Sequence, residues 1–295
     1  MTKTTHSAVL GNRSDALPDV PRRGPLRRYP MVAIGVLVFI VVLLVTLSAP
    51  WLATHDPQDI DPTARLRAPS LAHPLGTDAL GRDVWSRTLY GGRISLVVGT
   101  VVGVFASTLG LLIGLVSGYS RIADAVLMRI MDGLMSIPAI LLAIALMAVT
   151  RATIFTVILA ITAVEIPRVV RLVRSVVLTL REQTYIEAAI VVGTRPLQVL
   201  RRHILPNTMA PLIVQTTYIC AAAMLVESIL SFLGAGTPPE VPSWGNIMAE
   251  GRTFFQIAPW LILSPGLLLG LTVLSINLVG DGLRGMLDPR IARRM

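Results

Sequence analysis

Long apolar stretches alternate with short polar segments along this chain. An α-helix needs about 20 consecutive apolar residues to cross the hydrocarbon core of a bilayer. Six stretches approach this length, at residues 31–50, 94–118, 125–149, 153–173, 209–233 and 260–280. The pattern therefore predicts an all-α polytopic membrane protein with six transmembrane helices.

These spans divide the chain into five parts. The expected parts are a cytoplasmic N-terminal tail (1–30), a first transmembrane anchor (31–50), an external segment (51–93), a transmembrane core (94–280) and a cytoplasmic C-terminal tail (281–295). The first apolar run follows several arginines, as a secretory signal would. However, it is longer than a signal core of about 7–15 residues, and Pro50-Trp51 follows it where small residues would precede cleavage. We therefore expect an uncleaved anchor.

Basic residues are distributed unevenly between the polar segments. Six spans place both termini on one side, and if that side is the cytoplasm, 19 basic residues lie inside and 7 outside. Because loops rich in Lys and Arg are retained in the cytoplasm, we expect both termini there. This distribution also explains the net charge of +9 without a nucleic-acid partner, since the arginines flank apolar runs and form no stripe with interleaved aromatic residues.

Composition argues against several kinds of function. The chain is 53% hydrophobic and 15% charged, as expected when the bilayer is the solvent. Lys3 is its one lysine, so it lacks the Gly-Lys-Ser/Thr loop that contacts ATP phosphates. Cys220 is the single cysteine and the four histidines lack ligand spacing, so we predict no metal and no cofactor. We also predict no catalytic residue, because no predicted span contains a His or Lys that could activate a serine as in an intramembrane hydrolase.

Glycines recur at four-residue intervals in the second span. Gly99 and Gly103 form one pair, and Gly110, Gly114 and Gly118 form a second series. This spacing places them on one helical face, where the absence of side chains lets another helix approach closely. We expect this helix to pack inside a bundle.

The polar segment 182–207, between the fourth and fifth spans, contains several helix start and stop signals. Thr184 and Glu187 have the spacing of a capping box, Gly193 suits a left-handed helix end, and Pro196 suits the first turn of another helix. The segment is therefore predicted to form two short helices joined by a tight turn at the cytoplasmic face.

Two interpretations of the first short helix remain open. Glu187 either serves only to cap its own helix, or it belongs to a surface that contacts another protein. The small side chains of Ala188 and Ala189 favour the second interpretation, because they let a partner surface come close.

The same segment resembles the EAA loop of ABC importer permeases, by which these subunits dock on their ATPase partners. The resemblance is carried by Glu187-Ala188-Ala189-x3-Gly193 and by Leu205-Pro206. His203 replaces the apolar residue that usually stands two positions before the Leu, a departure that is itself similar to the peptide and nickel branch. Three further stretches resemble that branch, namely Leu75-Gly76-Thr77-Asp78 with Gly81-Arg82-Asp83, Leu230-Ser231-Phe232-Leu233-Gly234 with Pro242-Ser243-Trp244-Gly245-Asn246, and Gly280-Asp281-Gly282-Leu283-Arg284 with Leu287-Asp288-Pro289-Arg290.

The resemblance implies the second, C-type permease subunit of a dipeptide or oligopeptide importer in a bacterial inner membrane. The implied partners are a homologous permease forming a heterodimer, ATP-binding cassette ATPase subunits that hydrolyse the ATP, an extracytoplasmic substrate-binding protein and the peptide substrate. It also implies that Glu187, Ala188, Ala189, Gly193 and Pro206 couple the permease to the ATPase. Nickel chelates or another small solute of the branch remain alternative cargoes. An ATP-independent channel or secondary transporter is a further alternative, but it would leave the cytoplasmic helix pair unexplained.

Glu227 is the clearest carboxylate deep inside a predicted span. It lies about six residues before the outer end of the fifth span. Ionisable groups at this depth usually face the bundle interior or a water-filled cavity. Glu227 is therefore a pathway candidate that could meet a cationic group of the substrate, and the alternative is a hydrogen bond to a neighbouring helix.

Overall fold

The structure is a computed structural model that describes residues 30–150 and 153–287. Within these ranges the chain is helical, and one isolated bridge between extended residues joins Thr77 to Asp83. The longer helices are α1 (Pro30–Leu47), α3 (Val84–Tyr119), α4 (Arg121–Met135), α5 (Ala139–Val149), α6 (Ile154–Arg181), α9 (Leu205–Phe232) and α11 (Trp260–Leu287). The short helices are α2 (Ala49–Leu52), α7 (Thr184–Val191), α8 (Pro196–Val199) and α10 (Trp244–Gly251). The prediction of an all-α protein is confirmed.

The helices account for the predicted spans in different ways. Among the described residues, four helical stretches are individually long and apolar enough to cross a membrane: α1, α3, the stretch Pro196–Phe232 that ends with α9, and α11. Helices α4 and α5 meet the same criterion only as a pair. Helix α6 has 28 residues, but Glu165, Arg168 and Arg171 make it more polar than these four. The count of six spans stays a prediction.

The predicted span 125–149 is not one continuous helix. It is divided between α4 and α5, which are bent by 90° relative to each other. Pro138 stands at the break, has no N–H to donate, and disfavours a helical conformation for Ile137. The Ser136 hydroxyl also donates a hydrogen bond of 2.7 Å to the Gly133 carbonyl at the end of α4. The expectation of a single helix here was wrong because these local signals outweigh the apolar run.

Helix α3 begins ten residues before the predicted span 94–118. The Asp83 carboxylate caps it by accepting a hydrogen bond of 2.8 Å from the backbone N–H of Ser86. Charged and polar side chains in the first turns, including Arg87, are buried against the rest of the protein. Tertiary contacts therefore extend the helix beyond its apolar part.

The C-terminal half of α3 packs tightly against α6 through the second glycine series. A Cβ atom added to Gly110 would lie 2.4 Å from the Cβ of Val169, and one added to Gly114 would lie 2.6 Å from the Cβ of Val173. Gly118 has the same relation to a third valine, one further helical turn along α6. Glycine therefore allows these helices to approach more closely than any other residue would.

The N-terminal half of α3 packs in the same way against α9. A Cβ atom at Gly103 would lie 2.3 Å from the Sγ of Cys220, and one at Gly99 would lie 2.7 Å from the Cγ of Met224. Two different helices, α9 and α6, thus pack against the glycines of α3 at successive positions along its length. This confirms that α3 packs inside a bundle.

Buried ion pairs hold the segment between α2 and α3 against α10. Arg87 is 1% exposed and contacts Asp78, and its Nη1 lies 2.7 Å from the Oε2 of Glu250. Arg82 bridges the same two acids, with distances of 2.7 Å to the Oδ2 of Asp78 and 2.7 Å to the Oε2 of Glu250. Because removing one partner of a buried pair leaves an uncompensated charge, this network fixes the segment firmly.

We predict that Gly114→Ala destabilises the protein, whereas Gly270→Ala does not. The added methyl group at position 114 would overlap Val173, while the same group at position 270 would meet no atom within 4 Å. Overpacking should lower the free energy of unfolding by about 1–3 kcal/mol, and the control should be neutral or gain about 0.5–1 kcal/mol from helix propensity. Denaturant titration of both variants in detergent micelles measures the difference. Equal stabilities would contradict the close packing of α3 on α6.

Candidate functional site

Helix α7 begins one residue earlier than the sequence signals indicated. Its N-cap is Gln183, whose carbonyl accepts hydrogen bonds of 2.9 Å from the N–H of Ile186 and 3.1 Å from the N–H of Glu187. No side chain caps this end. Glu187 therefore occupies the fourth helical position, whereas a capping box requires the acid at the third. The predicted box between Thr184 and Glu187 was wrong.

The end of α7 has the predicted left-handed glycine. Gly193 has a φ angle of 90°. Its N–H donates to the carbonyl of Ile190 at 2.9 Å, and the N–H of Thr194 donates to the carbonyl of Ala189 at 3.0 Å. This pair of hydrogen bonds is a Schellman motif, which ends the helix sharply and satisfies its last carbonyls. A Cβ atom at Gly193 would meet nothing within 4 Å, so the backbone torsion alone favours glycine here.

Two proline positions shape the chain after α7. Pro196 occupies the first turn of α8, as predicted. A turn of π-helix, Leu200–Ile204, then leads into α9, where Pro206 lies in the first turn. Pro206 has no N–H to donate to the preceding turn, so a wider turn at this place avoids an interrupted α-helical ladder.

The segment has a buried side and an exposed side. Ile186, Val199 and Ile204 are at most 1% exposed and join the main hydrophobic core. The opposite side presents four exposed apolar side chains, which we call the apolar patch: Ile190, Val191, Val192 and Leu197. Val191 and Val192 are 85% and 86% exposed. Large apolar side chains exposed in this way, outside the predicted spans, make the segment a candidate protein-binding site.

The predicted coupling residues lie around this patch. Glu187 and Ala188 are exposed and Ala189 is half-buried. Within the described ranges the Glu187 side chain makes no hydrogen bond or ion pair, and it lines a cavity of about 650 Å³ together with Arg121 and Arg181. The helix cap is therefore not its role.

Polar contacts fix the base of the segment to the bundle. Arg181, the last residue of α6, donates a hydrogen bond of 2.9 Å to the carbonyl of Gly118 at the end of α3. Nearby, the Arg174 guanidinium forms a two-point ion pair with Asp124 of α4, at 2.5 and 2.6 Å. These contacts connect the base of the segment to α3, and they connect α6 to α4.

The second candidate, Glu227, is completely buried within this chain. Its Oε1 atom accepts hydrogen bonds of 2.9 Å from the hydroxyls of Ser231 and Ser243. Its Oε2 atom accepts longer bonds from Ser95 at 3.4 Å and Ser228 at 3.5 Å. These hydroxyls come from α3, from α9 and from the N-cap of α10. The structure therefore places Glu227 in hydrogen bonds with neighbouring helices, and a part in the pathway remains a hypothesis.

The region around α10 explains two motifs noted in the sequence. Ser243 is the N-cap of α10 and joins it to Glu227. The Asn246 amide donates to the carbonyls of Thr237, Pro238 and Val241 at 3.0–3.1 Å, which closes the turn before the helix. These residues thus hold α10 against the end of α9.

One further buried acid was missed in the sequence. Glu165 of α6 is 2% exposed, and its Oε2 lies 3.0 Å from the Nη1 of the more exposed Arg168. The depth criterion that selected Glu227 applies to Glu165 as well, because it lies in the predicted span 153–173. Pro167, inside the same helix, is another signal of an unusual site.

The sequence matches two protein families. Residues 106–293 match the binding-protein-dependent transport system inner membrane component family. Residues 24–69 match the N-terminal transmembrane domain of oligopeptide transport permease C.

Individual relatives are similar over nearly the whole chain. The probable peptide ABC transporter permease protein y4tQ of Sinorhizobium fredii is 53% identical over 97% of this chain and 99% of its own length. The probable D,D-dipeptide transport system permease protein DdpC of Escherichia coli is 41% identical over 90% of this chain and 89% of its own length. The dipeptide transport system permease protein DppC of Alkalihalophilus pseudofirmus is 39% identical over 90% of this chain and 88% of its own length.

The fold is also similar to a chain of the MetNI methionine ABC transporter in an inward-facing conformation. The TM-score is 0.57 at 23% identity, and the match covers 67% of this chain and 94% of that one. This likeness is one of fold alone.

We predict that Glu227→Leu is much less stable than Glu227→Gln. The glutamine keeps a carbonyl oxygen for Ser231 and Ser243, whereas leucine leaves both hydroxyls without their acceptor. Each unsatisfied buried group should cost about 1–3 kcal/mol. Unfolding in micelles tests this, and equal losses in both variants would contradict a structural role. A stable Glu227→Gln protein with reduced transport would instead support the pathway hypothesis.

Proposed function

Because the chain belongs to the family of binding-protein-dependent transport system inner membrane components, we propose that it is the second permease of a dipeptide or oligopeptide ABC importer. It is a non-catalytic inner-membrane subunit. In this proposal a homologous permease completes the pathway, ATPase subunits hydrolyse ATP on the cytoplasmic side, and an external binding protein delivers the peptide. The names of the relatives favour peptides over nickel chelates as cargo.

The observation that carries the coupling part of this proposal is the apolar patch on a rigid support. The patch lies outside every predicted span, so we expect that the bilayer does not cover it. Ile186 and Val199 anchor its two short helices in the core, and the Schellman motif at Gly193 fixes the angle between them. A partner protein is the surface that best accounts for such an exposed group of apolar side chains.

The rigidity of the support has a mechanical purpose in this proposal. An importer alternates between inward-open and outward-open arrangements, and ATP binding shifts their populations through contacts that differ between the two. A flexible loop would absorb the ATPase movement instead of passing it on. Two residues, Glu182 and Gln183, join α6 to α7. Arg181 at the end of α6 is hydrogen-bonded to α3, so in this proposal the displacement reaches the bundle.

We predict that the apolar patch lies in the cytoplasm and the segment before α3 lies outside. In a Cys220→Ser background, cysteine at Leu71 should react with a membrane-impermeant maleimide in intact cells. Cysteine at Val192 should react only after permeabilisation. The permease is expressed without its ATPase subunits, so that the proposed partner does not cover position 192. Both positions are then highly exposed, and access across the membrane decides the result. Labelling of position 192 in intact cells would overturn the proposed orientation.

We predict that Val192→Glu releases the ATPase without unfolding the permease. Val192 is 86% exposed, so a carboxylate there should hardly change the stability of the fold. In an apolar interface with the ATPase the same carboxylate would lose its water without gaining a partner, which would weaken binding. Co-purification of the ATPase with the permease pair and ATP-dependent dipeptide uptake in a deletion strain measure the effect. Leu71→Glu is the matched control, since it adds the same charge at an exposed apolar position outside the predicted docking side.

The outcomes separate the alternatives. Loss of ATPase and of uptake in Val192→Glu, with ATPase retained in Leu71→Glu, supports the proposal. Uptake that continues without ATP would indicate a channel or secondary transporter. Accumulation of nickel chelates but not of dipeptides would support the ABC importer and show that its substrate is a nickel chelate.

A further inference from the structure

Three potential metal ligands meet between α2 and the start of α3. His55 follows α2, His73 lies in the middle of the connecting segment, and Asp83 precedes α3. One ligand atom from each side chain lies within 4.8 Å of the other two. The three residues are far apart in the sequence, so no short His-x-His spacing predicts the group. They meet because the segment folds back on itself. The group is separate from both the apolar patch and Glu227.

We propose that His55, His73 and Asp83 form a binding site for a divalent transition-metal ion of the zinc type. Two imidazole nitrogens and one carboxylate oxygen are ligands that zinc accepts, whereas calcium and magnesium prefer oxygen ligands alone. Three protein ligands leave the fourth tetrahedral position to a water molecule. The prediction of no metal, which rested on sequence spacing, is replaced by this proposal.

The carboxylate of Asp83 is already oriented for this role. Its Oδ2 atom accepts hydrogen bonds from the N–H of Ser86 at 2.8 Å, the hydroxyl of Ser86 at 2.7 Å and the hydroxyl of Thr54 at 3.0 Å. Its Oδ1 atom faces the Nδ1 of His73 at 3.0 Å. The first oxygen is thus held by neighbouring donors, while the second contacts only the His73 imidazole among the described residues. Metal ligands are commonly positioned by surrounding hydrogen bonds in this way.

The two imidazoles differ in their freedom to move. His73 is half-buried, and the ring of His55 stacks on it with centroids 4.7 Å apart and an angle of 28° between their planes. His55 is exposed, so an ion can enter from its side. In a tetrahedral site with bonds of about 2.0–2.1 Å, the ligand atoms lie about 3.4 Å apart. Metal binding therefore requires the exposed His55 ring to rotate out of the stack until its nitrogen reaches this separation, and the ion then replaces the His73–Asp83 hydrogen bond.

A bound ion would join three parts of the chain that are distant in sequence. It would connect the residues after α2 to the N-cap of α3 and to the loop between them. On the predicted outer side of the membrane, the site would equilibrate with metal in the surrounding medium. A ligand that binds the folded state alone raises its stability, so the ion should raise the Tm.

The test measures metal binding directly, in the purified full-length chain without a polyhistidine tag. Zn²⁺ is titrated in competition with a chromophoric chelator, and Co²⁺ is used to detect tetrahedral coordination from its visible spectrum. We expect His55→Ala to lower the affinity at least as much as loss of an outer hydrogen-bond partner does, about 10–100-fold. His203→Ala, in the predicted cytoplasmic segment, is the matched control and should bind as the wild type does.

A second measurement keeps the result interpretable. His55 is exposed, so its removal should leave the fold intact, which size-exclusion chromatography checks. Zn²⁺ should raise the Tm of the wild type and of His203→Ala, and it should have no such effect on His55→Ala. Equal Zn²⁺ affinity in His55→Ala and wild type, or a wild type with no tetrahedral Co²⁺ spectrum, would overturn the proposal and leave the group as a structural hydrogen bond with a stacked ring.

Discussion

Close contact between α3 and its two neighbours is the interaction on which the rest of the structure depends. In a bilayer the lipid tails are as apolar as the side chains, so helix association relies on van der Waals packing and short backbone distances. The glycines of α3 provide both, toward α9 in its first half and toward α6 in its second. The segment with the apolar patch lies between α6 and α9, and both of its ends are therefore positioned by α3.

Local signals in the sequence predicted the parts of the structure that depend on local geometry. The left-handed Gly193 and the first-turn Pro196 were recognisable, because each satisfies a backbone requirement within a few residues. The glycine series of α3 was recognisable from its four-residue spacing, although the helices that pack against it were not. The start of α7 was misplaced, since Gln183 caps it through its carbonyl oxygen alone and any residue can do this. The break near Pro138 was missed because the apolar run was given more weight than the proline.

Features that depend on distant residues were beyond the sequence. The carboxylate of Glu227 was noticed, and Ser231 lies one helical turn after it in α9. Two other donors lie in α3 and at the N-cap of α10, and nothing in the sequence predicts those two contacts. The ion pair between Arg87 and Glu250 joins residues that are 163 positions apart. His55 and His73 belong to the same class, since only the path of an irregular segment brings them together. In each case tertiary packing creates the site.

The matching of glycines to valines also restricts how α3 and α6 can move. Gly110, Gly114 and Gly118 face valines that repeat at the same four-residue interval, so each valine of α6 packs against one glycine of α3. The next register that would again place valines over glycines is displaced by four residues, or about 6 Å along the axis. A smaller displacement of α6 along α3 would bring its valines against residues of α3 that are not glycine, and their side chains would clash. The pair is thus expected to move as one rigid body.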